Sequence, residues 1–461
     1  MFELIAQKAP GLVNMDLSNM NKYIDDRPAD GVFRVHKDVY SDAALFELEM
    51  KYIFERTWSF LGHESQLPKP NDWIATHIGR VPVLLMRDAQ GTVGAFLNAC
   101  RHKGARLTRT EAGNRKFHVC PYHGWTYGSD GRNVDVKDKK SGCYSAAFDA
   151  ESHDLVALAR VSSYKGLLFG SLSPDVPELS DFIGELGFFI DLAMEQGEHG
   201  MELVPGRIEY AYDANWKLQL DNGTDAYHLT STHTSFLDVM AKRSAGGGNQ
   251  EARQFDWQKR FSQEGGDFQF ANGHTVIWLN QAEVAKRPIY PSIDAIRERV
   301  GSARADWMLK MRNMSVFPNM QIADSTSLLL RTFRPLAVDR TEMRYWCLAP
   351  VGEPPVQRAW RLRQFEDFFN VSGFATPDDT VTYETCQAGF AASRNAWLQG
   401  HCRGLAALQP GPSELARSLG FDPVATVQGS FLVQSEMAFQ PVYREWARLM
   451  EAGISGRKAY D

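Results

Sequence analysis

Two short cysteine–histidine pairs constrain this chain more than any other feature. Cys100-Arg-His102 and Cys120-Pro-Tyr-His123 each supply one thiol and one imidazole, with seventeen residues between them. A glycine follows each pair, Gly104 after the first and Gly124 after the second. Glycine lets a backbone turn tightly around a bulky inorganic centre. The surroundings agree with a loop-borne site. From Trp58 to about Ser171 the sequence breaks into short strand-like runs, such as Asp72–His77, Val81–Met86, Gly94–Leu97 and Gly166–Phe169, separated by Gly, Asn, Asp and Pro. Ser129-Asp-Gly-Arg132 reads as a hairpin turn within them. These residues predict a small antiparallel β domain carrying a metal group on two loops.

Two chemistries compete for that donor set. A structural zinc ion would take all four residues at one centre, but its usual pairs have two to four residues between ligands. Cys100 and His102 have one. A Rieske cluster places two thiolates on one iron and two imidazoles on the other, so each loop gives one ligand to each iron. The spacing favours the cluster. Neutral imidazole ligands also raise its potential, which suits it to pass electrons onward.

A second stretch asks for such electrons. Asp221-Asn-Gly-Thr-Asp-Ala-Tyr-His-Leu-Thr-Ser-Thr-His233 packs two acids and two imidazoles into thirteen residues. Asp225 and His228 share a face if the segment is helical, whereas His233 reaches the same point only if the helix ends or bends near Thr230–Thr232. Two imidazoles and a distant carboxylate make the facial triad of non-haem iron(II) oxygenases. Thr376-Pro-Asp-Asp379 offers that carboxylate, 146 positions beyond His233. Pro377 sets a turn there, after which Asp378 or Asp379 could instead cap a helix.

At 461 residues, two domains are expected. A hydrophobic content of 44%, a charged content of 23% and a net charge of −6 describe a globular chain without the basic surface of a nucleic-acid binder. No apolar run approaches membrane-spanning length, and the N-terminus lacks a secretory leader. Six cysteines at irregular spacing read as cytoplasmic thiols or metal ligands, with Cys143, Cys347, Cys386 and Cys402 as small buried apolar residues. Asp42–Glu55 predicts a helix burying Leu45, Leu48, Tyr52 and Ile53. Beyond residue 172, helices are expected over 178–197, 215–240, 292–312 and 355–371. Strands are expected over 274–278, 320–323, 327–333 and 342–348, and a loop or lid over Lys242–Gly273. Strands grouped apart from helices indicate an α+β layer with an antiparallel sheet.

The Cys100-x-His102 and Cys120-x2-His123 pairs, followed about a hundred residues later by Asp225-x2-His228-x4-His233, resemble the alpha subunit of Rieske-type aromatic-ring-hydroxylating dioxygenases. Asn215-Trp-Lys217, Asp221–His228 and Arg363–Asp379 are most similar to the benzoate, anthranilate and 2-halobenzoate branch. The resemblance implies an N-terminal segment (1–56), an all-β Rieske domain (57–171) and a helix-grip catalytic domain with a curved antiparallel sheet (172–461). It implies one [2Fe–2S] cluster on Cys100, His102, Cys120 and His123, and one mononuclear Fe(II) on His228, His233 and Asp379. Asp225 becomes a bridge from His228 to the cluster ligand His123 of the partner subunit, and Asn222 a residue near the iron or a local cap. NADH would act through a separate reductase, with or without a ferredoxin, because no G-x-G-x-x-G unit is present. Small beta subunits in a ring of three alpha and three beta chains are also implied. The expected reaction is cis-dihydroxylation of a small aromatic acid with O2. Monohydroxylation by the same residues, or a Rieske electron-transfer protein without oxygenase activity, stay open alternatives.

Overall fold

The computed structural model describes residues 19–245, 263–281, 283–392 and 394–460. The chain forms two compact units: Phe54–Leu179, and a larger one joining the chain up to Ile53 with everything from Ser180 onward.

The smaller unit is antiparallel β structure. Val93–Leu97, Val81–Arg87, Asp72–Ile78 and Ala112–Asn114 lie side by side in that order. Two three-stranded sheets accompany them. One is Asn133–Asp135, Thr126–Gly128 and Phe117–Val119; the other is Arg160–Tyr164, Leu167–Ser171 and Ser59–His63. The expected hairpin turn at Ser129–Arg132 joins two of these strands, closed by the Gly128 N–H donating to the Arg132 carbonyl at 2.8 Å. Trp73, Leu84, Met86, Leu107, Trp125 and Tyr127 pack into a core that encloses Cys100 and Cys120.

The larger unit is α+β around a ten-stranded antiparallel sheet. Its central strands run Arg340–Pro350, Leu328–Ala337, Met320–Asp324, Met311–Val316, Thr275–Leu279, Glu264–Gln269 and Ala425–Ser430. Glu264–Gln269 corrects the expected loop over Lys242–Gly273. The run looks polar, yet Gly266 faces a neighbour so closely that a Cβ would lie 1.8 Å from the Val427 carbonyl oxygen. Residues 242–245 end the helix Thr234–Ala245, and 246–262 lie outside the described residues. The helix expected over 292–312 also needs correction. Gly301 breaks it at φ 84°, and from Met311 the chain is a strand. Among the described residues no helix is long and apolar enough to cross a membrane.

Two buried polar knots fix the helix Trp216–Asn222, which leads into the Asp221–His233 stretch. Glu49 is fully buried in the N-terminal helix, accepting from Lys217 Nζ (2.6 Å), Trp216 Nε1 (2.8 Å) and Trp446 Nε1 (2.7 Å). Asp221 accepts from Tyr40 (3.1 Å) and Tyr443 (2.6 Å), whose hydroxyls also meet at 2.5 Å. The N-terminal helix therefore does more than bury an apolar stripe. That stripe is Leu45, Phe46, Met50 and Ile53, while Leu48 and Tyr52 remain half-exposed.

Candidate active site and metal centres

In the smaller unit the two Cys–His loops repeat one construction. The Cys100 N–H donates to the Ala105 carbonyl and the Cys120 N–H to the Trp125 carbonyl, each at 2.8 Å. Gly104 N–H returns to the Cys100 carbonyl (2.8 Å) and Gly124 N–H to the Cys120 carbonyl (3.0 Å). Both glycines sit at φ 75°, the left-handed region that disfavours side chains. The loops bring His102 Nδ1 and His123 Nδ1 to 3.0 Å and place the two thiols next to each other. Cys100 and Cys120 are 3% and 2% exposed, whereas both imidazoles are half-buried. Trp125 stacks on His102 with ring centroids 5.1 Å apart, and the Tyr127 hydroxyl lies 3.2 Å from Cys100 Sγ. Burial raises the Cys100 thiol pKa above its ordinary value. Two thiols inside and two imidazole edges outside form a donor set suited to a Rieske cluster.

In the larger unit the expected break in the helix is present, with a second one before it. Trp216–Asn222 ends at Gly223, the chain turns through Asp225, and a short helix Leu229–Thr232 is followed by Thr234–Ala245. Asp225 and His228 thus pair across a turn and not along a helix, with Asp225 Oδ2 3.0 Å from His228 Nδ1. His233 lies between the two later helices, where its backbone leaves helical geometry. The Nε2 atoms of His228 and His233 lie 3.5 and 3.2 Å from one oxygen of Asp379. One ligand atom from each of these three residues lies within 4.8 Å of the other two. Asn222 Nδ2 donates to that same Asp379 oxygen (3.1 Å) and stands 3.3 Å from His228 Nε2.

Asp378 takes the other nitrogen of His233, with Oδ2 3.4 Å from Nδ1, and accepts from Ser235 Oγ at 3.2 Å. Neither Asp378 nor Asp379 makes a side-chain cap on the helix Thr376–Gly389, contrary to the expectation for one of them. Both acids are drawn to imidazoles instead. Burial alone would raise the Asp379 carboxyl pKa, but hydrogen bonding and charge from His233, with His228 and Arg331, hold it below the ordinary range. Burial works against a charged His228, and Asp225 outweighs it to raise that imidazole's pKa. The triad can hold a divalent metal through two neutral nitrogens and one carboxylate.

The triad opens on a cavity of about 650 Å³, including its solvent-facing mouth. Ile277, Met311, Phe368 and Phe369 give it apolar walls, and Arg331 contributes a guanidinium. Sequence reading placed none of these side chains. Aromatic residues such as Trp278, Phe317, Phe333 and Trp346 are expected in a core; the first three are fully buried, Trp346 is half-buried, and none of the four lines the cavity. Arg331 did leave a trace: it is the one charged residue in Leu328-Leu-Leu-Arg-Thr-Phe333. Elsewhere, Cys347 is buried as expected, but Cys143 and Cys386 are exposed and Cys402 is half-buried. Cys143 follows a left-handed turn at Gly142, and Cys386 lies on the outer side of its helix.

Residues 57–159 match the family described as Rieske [2Fe-2S] domain. Residues 202–452 match the family described as ring hydroxylating alpha subunit, catalytic domain. The chain belongs to the ring-hydroxylating alpha subunits. It is 38% identical to the toluate 1,2-dioxygenase alpha subunit of Pseudomonas putida, covering 95% of this chain and 98% of that one. It is 37% identical to the 2-halobenzoate 1,2-dioxygenase large subunit of Burkholderia cepacia, covering 98% and 96%. The naphthalene 1,2-dioxygenase structure from Rhodococcus sp. bound to indole superposes with a TM-score of 0.80 at 26% identity, covering 95% of this chain and 99% of that one. As a ring-hydroxylating alpha subunit the chain is an oxidoreductase with a Rieske [2Fe–2S] domain and a non-haem iron catalytic domain. The zinc reading of the Cys/His loops falls to the Rieske match, and the catalytic-domain match disfavours a pure electron carrier.

Proposed function

We propose that this alpha subunit is the terminal oxygenase of a multicomponent system that cis-dihydroxylates a small aromatic carboxylate. The observation that carries the reading is the His228, His233 and Asp379 cluster at an apolar-walled cavity. Relatives named for toluate and 2-halobenzoate support the substrate class. Cys100, His102, Cys120 and His123 hold the [2Fe–2S] cluster, and His228, His233 and Asp379 hold one Fe(II). Held by those three residues, iron would supply the redox chemistry of oxygen activation. The apolar walls orient the ring and exclude water, while Asp378 and Asp225 fix the two imidazoles through their far nitrogens. Asp225 also links His228 to His123 of the partner subunit, which calls for a ring of three alpha chains with three small beta chains. A separate reductase, directly or through a ferredoxin, delivers NADH electrons. The domains are assigned as 1–56, 57–171 and 172–461.

The test is reconstitution with reductase and beta subunit, then product analysis on benzoate, anthranilate, salicylate and 2-chlorobenzoate. The reading requires a dihydroxylated product from at least one acid, and metal analysis giving the two cluster irons plus one more. Turnover only of uncharged arenes overturns the carboxylate assignment. A monohydroxylated product overturns the dihydroxylation.

A further inference from the structure

Arg331 is a buried cation with no acid in contact with it among the described residues, Asp379 acting on it only across the cavity. The residue is 6% exposed and lies in the strand Leu328–Ala337. In the sheet register it stands between Gln321 and Tyr345, and Gln321 is in turn opposite Ser315. Directly opposed residues point to the same face, so these four form one polar rung across the sheet. Gln321 Nε2 donates to the Leu220 carbonyl (3.0 Å) and Ser315 Oγ (2.8 Å), leaving its oxygen for Arg331 Nε at 2.7 Å. Tyr345 OH accepts from Arg331 Nη1 at 3.4 Å. Both partners are neutral. Nη2 has no hydrogen-bond partner, and no carboxylate lies within 4.0 Å of the guanidinium, among the described residues.

Arginine cannot shed its proton, so burial does not remove this charge. A buried, unpaired charge is costly and is normally answered by an opposite one. Asp379 lines the same cavity but is committed to His228 and His233. Two neutral imidazoles and one carboxylate would leave a bound Fe(II) net positive, so Asp379 has no charge to spare for Arg331. With Nε on Gln321 and one Nη1 hydrogen on Tyr345, Nη2 and the second Nη1 hydrogen remain as donors, and a guanidinium takes a carboxylate through two such hydrogen bonds.

We propose that Arg331 receives the carboxylate of the aromatic substrate and so sets both the enzyme's preference for acids and the ring's orientation beside the triad. This rests on the reading of the site as an aromatic-acid oxygenase. It makes Arg331 a specificity-determining residue, held in place by Gln321 and Tyr345.

The test compares wild-type holoenzyme with Arg331→Gln, using the acid converted fastest among benzoate, anthranilate, salicylate and 2-chlorobenzoate, and the matching uncharged nitroarene. Removing the charge should raise the KM and the calorimetric Kd for the acid by roughly 30-fold or more. The nitroarene KM should stay within about threefold, since it needs no counter-charge. Arg331→Lys, which keeps the charge but loses the paired donors, should fall between them. It carries the test if the Gln variant loses its cluster absorption. Equal losses on acid and nitroarene, or no loss on the acid, overturn the assignment of Arg331. If wild type converts no aromatic acid, the proposed function itself falls, and that outcome is visible before any variant is made.

Discussion

Each imidazole of the triad keeps Nε2 for Asp379 and gives Nδ1 to a second acid: Asp225 for His228 and Asp378 for His233. A carboxylate on the far nitrogen fixes the tautomer and the ring orientation of a ligating histidine, and removing one typically costs 10- to 100-fold in metal affinity. Asp378→Ala should therefore weaken iron retention by roughly 10- to 100-fold in chelator competition while leaving the visible absorption of the cluster unchanged. Iron retention equal to wild type would show that Asp378 serves only Ser235. The sequence identified both acids as candidates, but it could not separate a ligand from its support. That distinction depends on which carboxylate faces Nε2, and a difference of one residue in a helix's first turn decides it.

The elements that carry the proposed cluster ligands were legible because local chemistry fixes them. Cys–His pairs closed by glycine, strands cut by turn residues and a hairpin at Ser129–Arg132 all follow from short-range preferences. The loops predict their own sensitivity. Ala in place of Gly104 meets open space but must adopt φ 75°, so the expected cost is about 1–2 kcal/mol from backbone strain alone. Gly104→Asn, which tolerates that region, should cost less. Thermal unfolding of the two variants checks the order, and an Asn variant no better than Ala would point to a different cause. Legibility failed where tertiary contact overrides local preference. Asn222-Gly223-Thr224-Asp225 are turn formers inside an otherwise helical pattern, and that signal lost to the periodicity around it. Glu264–Gln269 read as loop because its glycines and its Asp and Gln are polar or flexible, although the strand is pressed between two others. Arg331 could not be placed because a cavity is lined by strands distant in sequence, and only the register brings Gln321 and Tyr345 to its sides.

Across the molecule, the balance of buried titratable groups differs between the two units. His63 and His118 in the smaller unit are buried, and burial pulls both pKa values down to about 4. Each binds its proton more readily when unfolded, where the pKa is about 6.5, so its stabilising contribution is lost as pH falls from about 6.5 to 4. In the larger unit, burial likewise lowers His274 to about 4, but it raises the Asp267 carboxyl to about 7. Asp267 works in the opposite direction: the folded state holds its proton, and stability declines as pH rises from about 4 to 7. The two effects largely cancel there, while in the smaller unit they add. Acidification from pH 7 to 5 should therefore loosen Phe54–Leu179 first, seen as earlier loss of amide protection in hydrogen exchange on the holoenzyme. Earlier loss in the sheet around Glu264–Gln269 would contradict this balance.

The two knots on the helix Trp216–Asn222 tie the site to distant parts of the sequence. Glu49 and Tyr40 precede the helix in sequence, Lys217 and Asp221 lie on it, and Tyr443 and Trp446 follow it by more than 200 residues. Without Trp446 the Glu49–Lys217 pair remains but its carboxylate loses one buried donor, a hydrogen bond to a charged group worth about 1.5–3 kcal/mol. The residues that would grip a redox metal are thus held by contacts from three distant parts of the sequence, and Trp446→Phe should lower the thermal unfolding temperature and weaken iron retention together.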